Sequence, residues 1–480
     1  MDVKQTNPVE PPAEQDAIPV QGKAAWRREF IALMAIGIPM GLTQLVQFSI
    51  NTVDVLMVGR LGPEALAGAS LGLVIYFAMF LFGFGPAMAV SPMVSQALGA
   101  NPDDTDDVRR SVRMGLWTIG IGIPILSLLF FLAEDLSIAL GQPAGPAALA
   151  EPYVLAMAPG LPFALGIMAL RNFLAAIERT RAPLVFIIIT TLLNAFLNWL
   201  LIYGNWGFPR MELVGAGIAS SVSHMTGFFM LVVYISHEKV SRRFEIFKNF
   251  FNPCWVRLRE VLQLSWPIGM TMIFEAMLFN AAVFLMGRIG VNEMAAYQVA
   301  LNVAALAFML PLGLSMAGSV RVGLMAGAKN PAGVRRASAI SILSCIAAIM
   351  LFAVPMMLAP NFIAGLYLDK DDVENTAVLA LVAAFIPIAS AFALFDAIQV
   401  AANQALRGLK DVRIPMVVTF ISYWIIGFPV SAYLGLYTPL GAVGVWYGLL
   451  ASLAAAAIFL GGRLWLITNP RKVDEWQAAE

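Results

Sequence analysis

Residues 39–62 read PMGLTQLVQFSINTVDVLMVGRLG, a stretch with no charge before Asp54 and with a close on Gly59-Arg60-Leu61-Gly62. A helix needs about 20 predominantly apolar residues to cross the hydrocarbon core of a bilayer. The stretch meets that length and holds a single carboxylate at a depth where a carboxylate is costly. Eleven further windows of the same kind are separated by charged or Pro/Gly-rich breaks. The twelve expected spans run approximately over 30–58, 65–95, 112–133, 152–175, 183–203, 213–236, 261–287, 294–319, 337–359, 376–405, 414–436 and 440–466.

Composition supports that reading. The chain is 60% hydrophobic and 12% charged, whereas soluble domains run at about 50% and about 25%. A water-soluble fold could not cover so much apolar surface. Net charge is zero and the basic residues are scattered, so there is no electrostatic footprint for nucleic acid. Cys254 and Cys345 are the only cysteines and His224 and His237 the only histidines. Their spacing fits neither a disulfide framework nor a zinc site. Residues 1–25 are polar and Pro/Glu-rich without an apolar core, which predicts a disordered cytoplasmic tail rather than a signal peptide.

Lysine and arginine resist translocation, so their distribution among the loops sets orientation. Lys4, Lys23, Arg27 and Arg28 lie before the first span, and Lys239, Arg242, Arg243, Lys248, Arg257 and Arg259 lie between spans six and seven. The odd-numbered connections hold only Arg60, Arg210, Arg288 and Lys370, with Asp369, Asp371 and Asp372 beside the last. Both ends are therefore expected in the cytoplasm, in a bacterial inner membrane.

The opening stretch recurs. When the sequence is shifted so that Pro39 falls on Pro267, then Gly41, Thr43, Val55, Gly59, Arg60 and Gly62 fall on Gly269, Thr271, Val283, Gly287, Arg288 and Gly290. A second stretch repeats at a slightly longer spacing, pairing Leu174, Arg181, Pro183 and Val185 with Leu406, Arg413, Pro415 and Val417. The expected fold is thus an all-α membrane protein of twelve transmembrane helices in two six-helix lobes, at 26–237 and 260–467. A cytoplasmic linker at 238–259 joins them, and a tail at 468–480 follows. Six spans per half leave both copies in one orientation, related by an axis along the membrane normal.

Three carboxylates stand in apolar surroundings: Asp54 in span one, Glu275 in span seven and Asp396 in span ten. No Lys or Arg is expected at their depth, since Arg171 and Arg407 fall nearer the cytoplasmic ends. Each acid can hold a proton or surrender it to a metal cation, which is the chemistry of a coupling site. Asn194 and Asn198 share one face of span five, as Gln298 and Asn302 do in span eight; packing and a hydrated path are both open for each pair. Gln47 in span one and Phe392 in span ten complete the candidate lining. His224 is expected to be a hydrogen-bonded packing residue. Trp199, Trp206, Trp424 and Trp465 are expected as interfacial anchors.

Val53-Asp54-Val55-Leu56-Met57-Val58-Gly59, Phe274-Glu275-Ala276, Ala296-Tyr297-Gln298-Val299-Ala300-Leu301-Asn302, and Asp396-Ala397-Ile398-Gln399-Val400 with Leu406-Arg407-Gly408 together resemble the multidrug and toxic compound extrusion (MATE) family, in its NorM-type branch. The resemblance covers roughly residues 25–467. It implies a cofactor-free, monomeric antiporter that expels organic cations and related drugs, driven by sodium ions or protons. It implies a cation site in the C-terminal lobe at Glu275 and Asp396, the residues that would hold sodium if sodium is the ion. It also implies a polar site in the N-terminal lobe at Asp54, Asn194 and Asn198. NorM-type members often carry Tyr one turn before the span-ten aspartate, where this chain has Phe392; a sodium shell there would lack that oxygen, which leaves the ion open. A lipid or oligosaccharide flippase would favour extra spans or a cationic cavity. An intramembrane enzyme would need a convergent motif such as HExxH, which the spans lack.

Overall fold

The computed structural model describes residues 22–367 and 375–469, apart from the side chains of 51–53. Residues 1–21 and 470–480 of the expected tails, and Lys370 with Asp369, Asp371 and Asp372, lie outside the described residues. Twelve helices are long and apolar enough to span a bilayer. They are α1 Lys23–Gly59, α2 Pro63–Ala100, α3 Thr105–Ala139, α4 Ala144–Ala176, α5 Arg181–Tyr203, α6 Glu212–His237, α7 Trp255–Ile289, α8 Val291–Gly327, α9 Pro331–Leu358, α10 Thr376–Gly408, α11 Arg413–Leu436 and α12 Ala442–Ile467.

Local chemistry sets the ends. The Asp104 carboxylate accepts from the Asp107 amide at 3.0 Å and starts α3, and the Asn330 side chain accepts from the Gly333 amide at 2.8 Å and starts α9. These are N-caps that satisfy otherwise orphaned amides. Gly204 closes α5 in the left-handed region at φ 72, where a Cβ would be strained. Several helices outrun their expected spans: α3 begins at Thr105 rather than 112, and α8 ends at Gly327 rather than 319. The extra turns of α3 are polar and capped by Asp104, and those of α8 carry Arg321, which is ion-paired with Glu29. For the same reason α7 begins at Trp255, inside the stretch expected as linker.

Two large apolar cores form: one from the first half, and one built mainly from the second half that also takes in Leu33, Ile36, Met88 and Met93 of α1 and α2. One gathers Val90, Val94, Val112, Leu161, Leu165 and Phe173 of the first half; the other gathers Leu285, Tyr297, Phe385, Phe392 and Trp446 of the second. The halves meet along α1 against α8 and α2 against α7 and α8. At the crossing, a Cβ on Gly99 would collide with the Leu324 carbonyl oxygen, and a Cβ on Gly327 with the Gln96 carbonyl oxygen. The shift that takes Pro39 to Pro267 also takes Gly99 to Gly327 and Gln96 to Leu324, so the contact maps onto itself under the sequence repeat. Small residues let membrane helices approach at the backbone in this way. Likewise Thr43 Oγ1 donates to the Pro39 carbonyl at 2.7 Å in α1, and Thr271 Oγ1 to the Pro267 carbonyl at 2.8 Å in α7.

The polar contacts between the lobes gather at the end that carries the chain termini. Arg321 of α8 clasps Glu29 of α1 at 2.7 Å and reaches Glu178 at 3.0 Å. Arg257 of α7 pairs with Asp107 of α3, and Gln96 Nε2 donates to the Gly408 carbonyl at 2.8 Å. Toward the other end, Cβ atoms on Gly59 and Gly62 would meet open space, and one on Gly287 would meet only its own lobe. The described polar contacts thus fasten the bundle shut at the end of the termini.

Candidate functional site

In the N-terminal lobe α1 carries Asp54 to face α5. Asn198 Nδ2 donates to Asp54 Oδ1 at 2.6 Å and contacts Asn194 Oδ1 at 3.2 Å; Asn194 Nδ2 then points to Ser220 Oγ on α6 at 3.5 Å. The i, i+4 spacing on one helix face makes this chain possible. Asn194 and Asn198 are buried, and Asn198 Oδ1 has no hydrogen-bond partner in the protein. Tyr153 of α4, also buried, lies within reach of the Asp54 charge. Gln47, two turns along α1 from Asp54, accepts from Arg171 Nη1 at 3.1 Å, and Gln44 accepts from Arg171 Nη2 at 2.9 Å.

In the C-terminal lobe α7 and α10 bring Glu275 and Asp396 within range of one another's charge. Asp396 is 5% exposed, and its Oδ1 has no partner in the protein. Tyr423 of α11, fully buried with an unpartnered hydroxyl, lies within range of both acids' charge. It stands on a π-helical stretch, Ile421–Gly427. A wide turn of this kind is rare and often marks a functional position. Thr419, Ser422 and Gln399 add further buried polar atoms without partners. Buried polar groups are nearly always satisfied; Asp396 Oδ1, Gln399 and the Tyr423 hydroxyl are not satisfied by any described residue.

One expectation is corrected here. Arg407 lies within charge range of Glu275, without forming a direct ion pair, although it is the penultimate residue of α10. Arg171 reaches the middle of α1. The Arg407 side chain comes within charge range of Glu275, whereas Arg171 stops at Gln44 and Gln47, two turns short of Asp54. Gln47 falls on Glu275 under the internal repeat, so the repeated position faces an arginine in each lobe and is neutral in one, acidic in the other.

Phe392 packs edge-on to Trp446 at 5.6 Å and against Phe279 at 5.9 Å. The phenolic oxygen within range of the acids' charge is that of Tyr423, on another helix. Gln298 is exposed on α8, and Asn302 accepts from the Tyr367 hydroxyl at 3.2 Å; neither hydrogen-bonds to the acids. His224 makes no hydrogen bond to a described residue, contrary to expectation. Trp424 is no interfacial anchor either: it stands halfway along α11 and donates to the Phe274 carbonyl at 3.3 Å, which ties the π-helical turn to the residue before Glu275. Tyr423 and Gln399 were not singled out in the sequence. A tyrosine at the centre of an apolar span was the available signal. Among the described residues no three His, Cys, Asp or Glu side chains cluster as a metal site. The donors near Asp396 are oxygens, which suit a hard cation.

A family model described as MatE matches residues 39–200 and again 267–433, and the two matches start at Pro39 and Pro267, the pair that opens the internal repeat. The chain is 39% identical to the Probable multidrug resistance protein NorM of Rhizobium meliloti (strain 1021), over 97% of this chain and 99% of that one. It is 38% identical to the protein of the same name from Mesorhizobium japonicum, over 92% and 94%. Among solved structures, the eukaryotic MATE transporter AtDTX14 superposes with a TM-score of 0.82 over 94% of this chain and 98% of that one, at 22% identity. A duplicated match at the spacing of the internal repeat, with relatives this similar from end to end, leaves one assignment: the chain belongs to the MATE family, in its NorM-type branch.

Proposed function

We propose that the chain is a secondary active multidrug efflux transporter, and not an enzyme, exporting cationic or amphiphilic organic compounds in exchange for sodium ions or protons. The observation that carries this reading is that Glu275 and Asp396 lie within range of one another's charge, with Asp396 Oδ1 and Tyr423 Oη buried and left without partners. Two carboxylates sharing a dry site repel one another, and a proton or metal cation relieves the repulsion. The names of the full-length relatives supply the substrate class. The basic residues at the closed end of the bundle support a cytoplasmic position for that end and for both termini, at the inner membrane.

The exchange follows from competition. With the bundle open to the cytoplasm, the ionised acids and the Asp54–Asn198–Asn194 chain favour an organic cation. Once the lobes rock outward, an entering ion neutralises Glu275 and Asp396 and the affinity for the drug falls. A ligand shifts such an equilibrium only through its differential affinity for the two states, so the acids are the coupling element. Proteoliposomes under a sodium gradient, a proton gradient, and each abolished in turn identify the ion. Glu275→Gln should retain drug binding while ion-driven export falls at least about tenfold, the equivalent of about 1.4 kcal/mol. Undiminished export by E275Q would defeat the assignment.

A further inference from the structure

At the closed end, a cleft of about 710 Å³ opens between the lobes, lined by Trp26 of α1, Pro331, Ala332, Arg335, Arg336 and Ala339 of α9, and Thr468 beyond α12. Its place in the repeat makes it informative. Arg335 corresponds in the repeat to Asp107 of the first half, which pairs across the lobes with Arg257. Arg257 in turn corresponds to Glu29, the acid that would face Arg335. Glu29 is instead held by Arg321 at 2.7 Å. Arg335 and Arg336 are left without an ion pair or hydrogen bond to a described residue, and Arg336 Nε is buried with no partner.

The equivalent place in the other half is covered by the chain itself. Arg113 Nη1 donates to the Asn249 carbonyl at 2.8 Å, Trp117 Nε1 to the Phe250 carbonyl at 2.9 Å, and the Cys254 amide meets Met114 Sδ at 3.4 Å. The linker thus closes the groove between α3 and α7. The described residues include no such cover between α9 and α1. Below the arginines the walls turn apolar toward the bilayer: Phe30 follows Trp26 by one turn, and Leu343 follows Ala339, both exposed. Cations at the lip, an aromatic beside them and an apolar track beneath match an anionic phospholipid, with phosphate above and acyl chains below. The positive end of the α9 dipole favours the same charge.

We propose that this cleft binds the headgroup of an anionic phospholipid, clasped between Trp26 of one lobe and Arg335 and Arg336 of the other. Native mass spectrometry of the full chain in neutral detergent, titrated with phosphatidylglycerol, phosphatidylcholine or inorganic phosphate, tests it. Phosphatidylglycerol should be retained at one per chain, and neither phosphatidylcholine nor inorganic phosphate should displace it. The double variant R335Q/R336Q should weaken retention about 30-fold, from about 1 kcal/mol per basic residue near an anionic lipid. A339W, which fills the cleft without changing charge, should also abolish it. K239Q/R242Q, which removes equal charge elsewhere on the same side, should leave it intact. Equal retention by R335Q/R336Q and K239Q/R242Q would overturn the site. So would displacement by inorganic phosphate alone, or retention that emerges only after residues 1–21 or 470–480 are removed.

Discussion

Tyr423 shows how one residue changes the reading of a site. The chain has phenylalanine at 392, and Phe392 is committed to the aromatic core against Trp446 and Phe279. A buried hydroxyl within range of the Asp396 charge comes instead from Tyr423 of α11, on the π-helical stretch. Tyr423→Phe keeps the ring and removes the hydroxyl. The apparent affinity for the coupling ion should fall about tenfold, since a bond to a charged group contributes about 1.5 kcal/mol, with little change in drug binding. Ion-dependence curves in proteoliposomes check this, and an unchanged half-saturation would exclude Tyr423 from the ion's shell. The three acids were legible in the sequence because a charge inside an apolar run stands out at once. Tyr423 was not, because the signal for a tyrosine in a span is weak and the widened turn that carries it leaves no pattern in residue spacing. Arg407 was misplaced for a different reason: depth was counted along the chain, and a guanidinium reaches a turn or more beyond its own Cα.

At the level of helices, the apolar windows located all twelve spans, but their ends followed rules that hydropathy does not contain. The polar first turns of α1, α3 and α7 are helical because they are capped or ion-paired across the lobes, and those same turns fasten the closed end. Glu29, 5% exposed, and Arg321 form the most enclosed of these fastenings. Breaking a buried pair by removing one partner leaves the other charge uncompensated, at a cost of up to about 3 kcal/mol. That penalty falls only on the conformation in which the pair forms. Glu29→Gln should therefore shift the population toward the cytoplasm-open form, read by distance measurements between spin labels at Pro102 and Ile414. Glu29→Asp should restore part of the closed population. If E29Q leaves the distance distribution of the wild-type chain unchanged, the pair has no part in holding that end shut.

For the whole molecule, the sequence disclosed the duplication and its offset, and the backbone crossing of Gly99 on Leu324 and Gly327 on Gln96 follows the same shift. The inequality of the halves is equally legible at single positions, an acid at 275 where the first half has Gln47, whereas the linker that covers one groove, with no such cover of its counterpart among the described residues, emerges only in the fold. These differences arise from single substitutions and from the one connection that has no twin. Because the core of the second half also packs residues of α1 and α2, the pieces keep an apolar seam between them, and the chain should tolerate a break in that connection. Residues 1–251 and 252–480, produced as separate polypeptides and cut beside the 83% exposed Phe251, should co-purify and restore drug resistance; failure of the pieces to associate would mean that the seam alone does not join them. A surface whose patches are mutually self-complementary is the isologous contact of a two-fold homodimer. The crossing of Gly99 on Leu324 and Gly327 on Gln96 has that form within one chain, so a substitution on one side of it has its counterpart on the other.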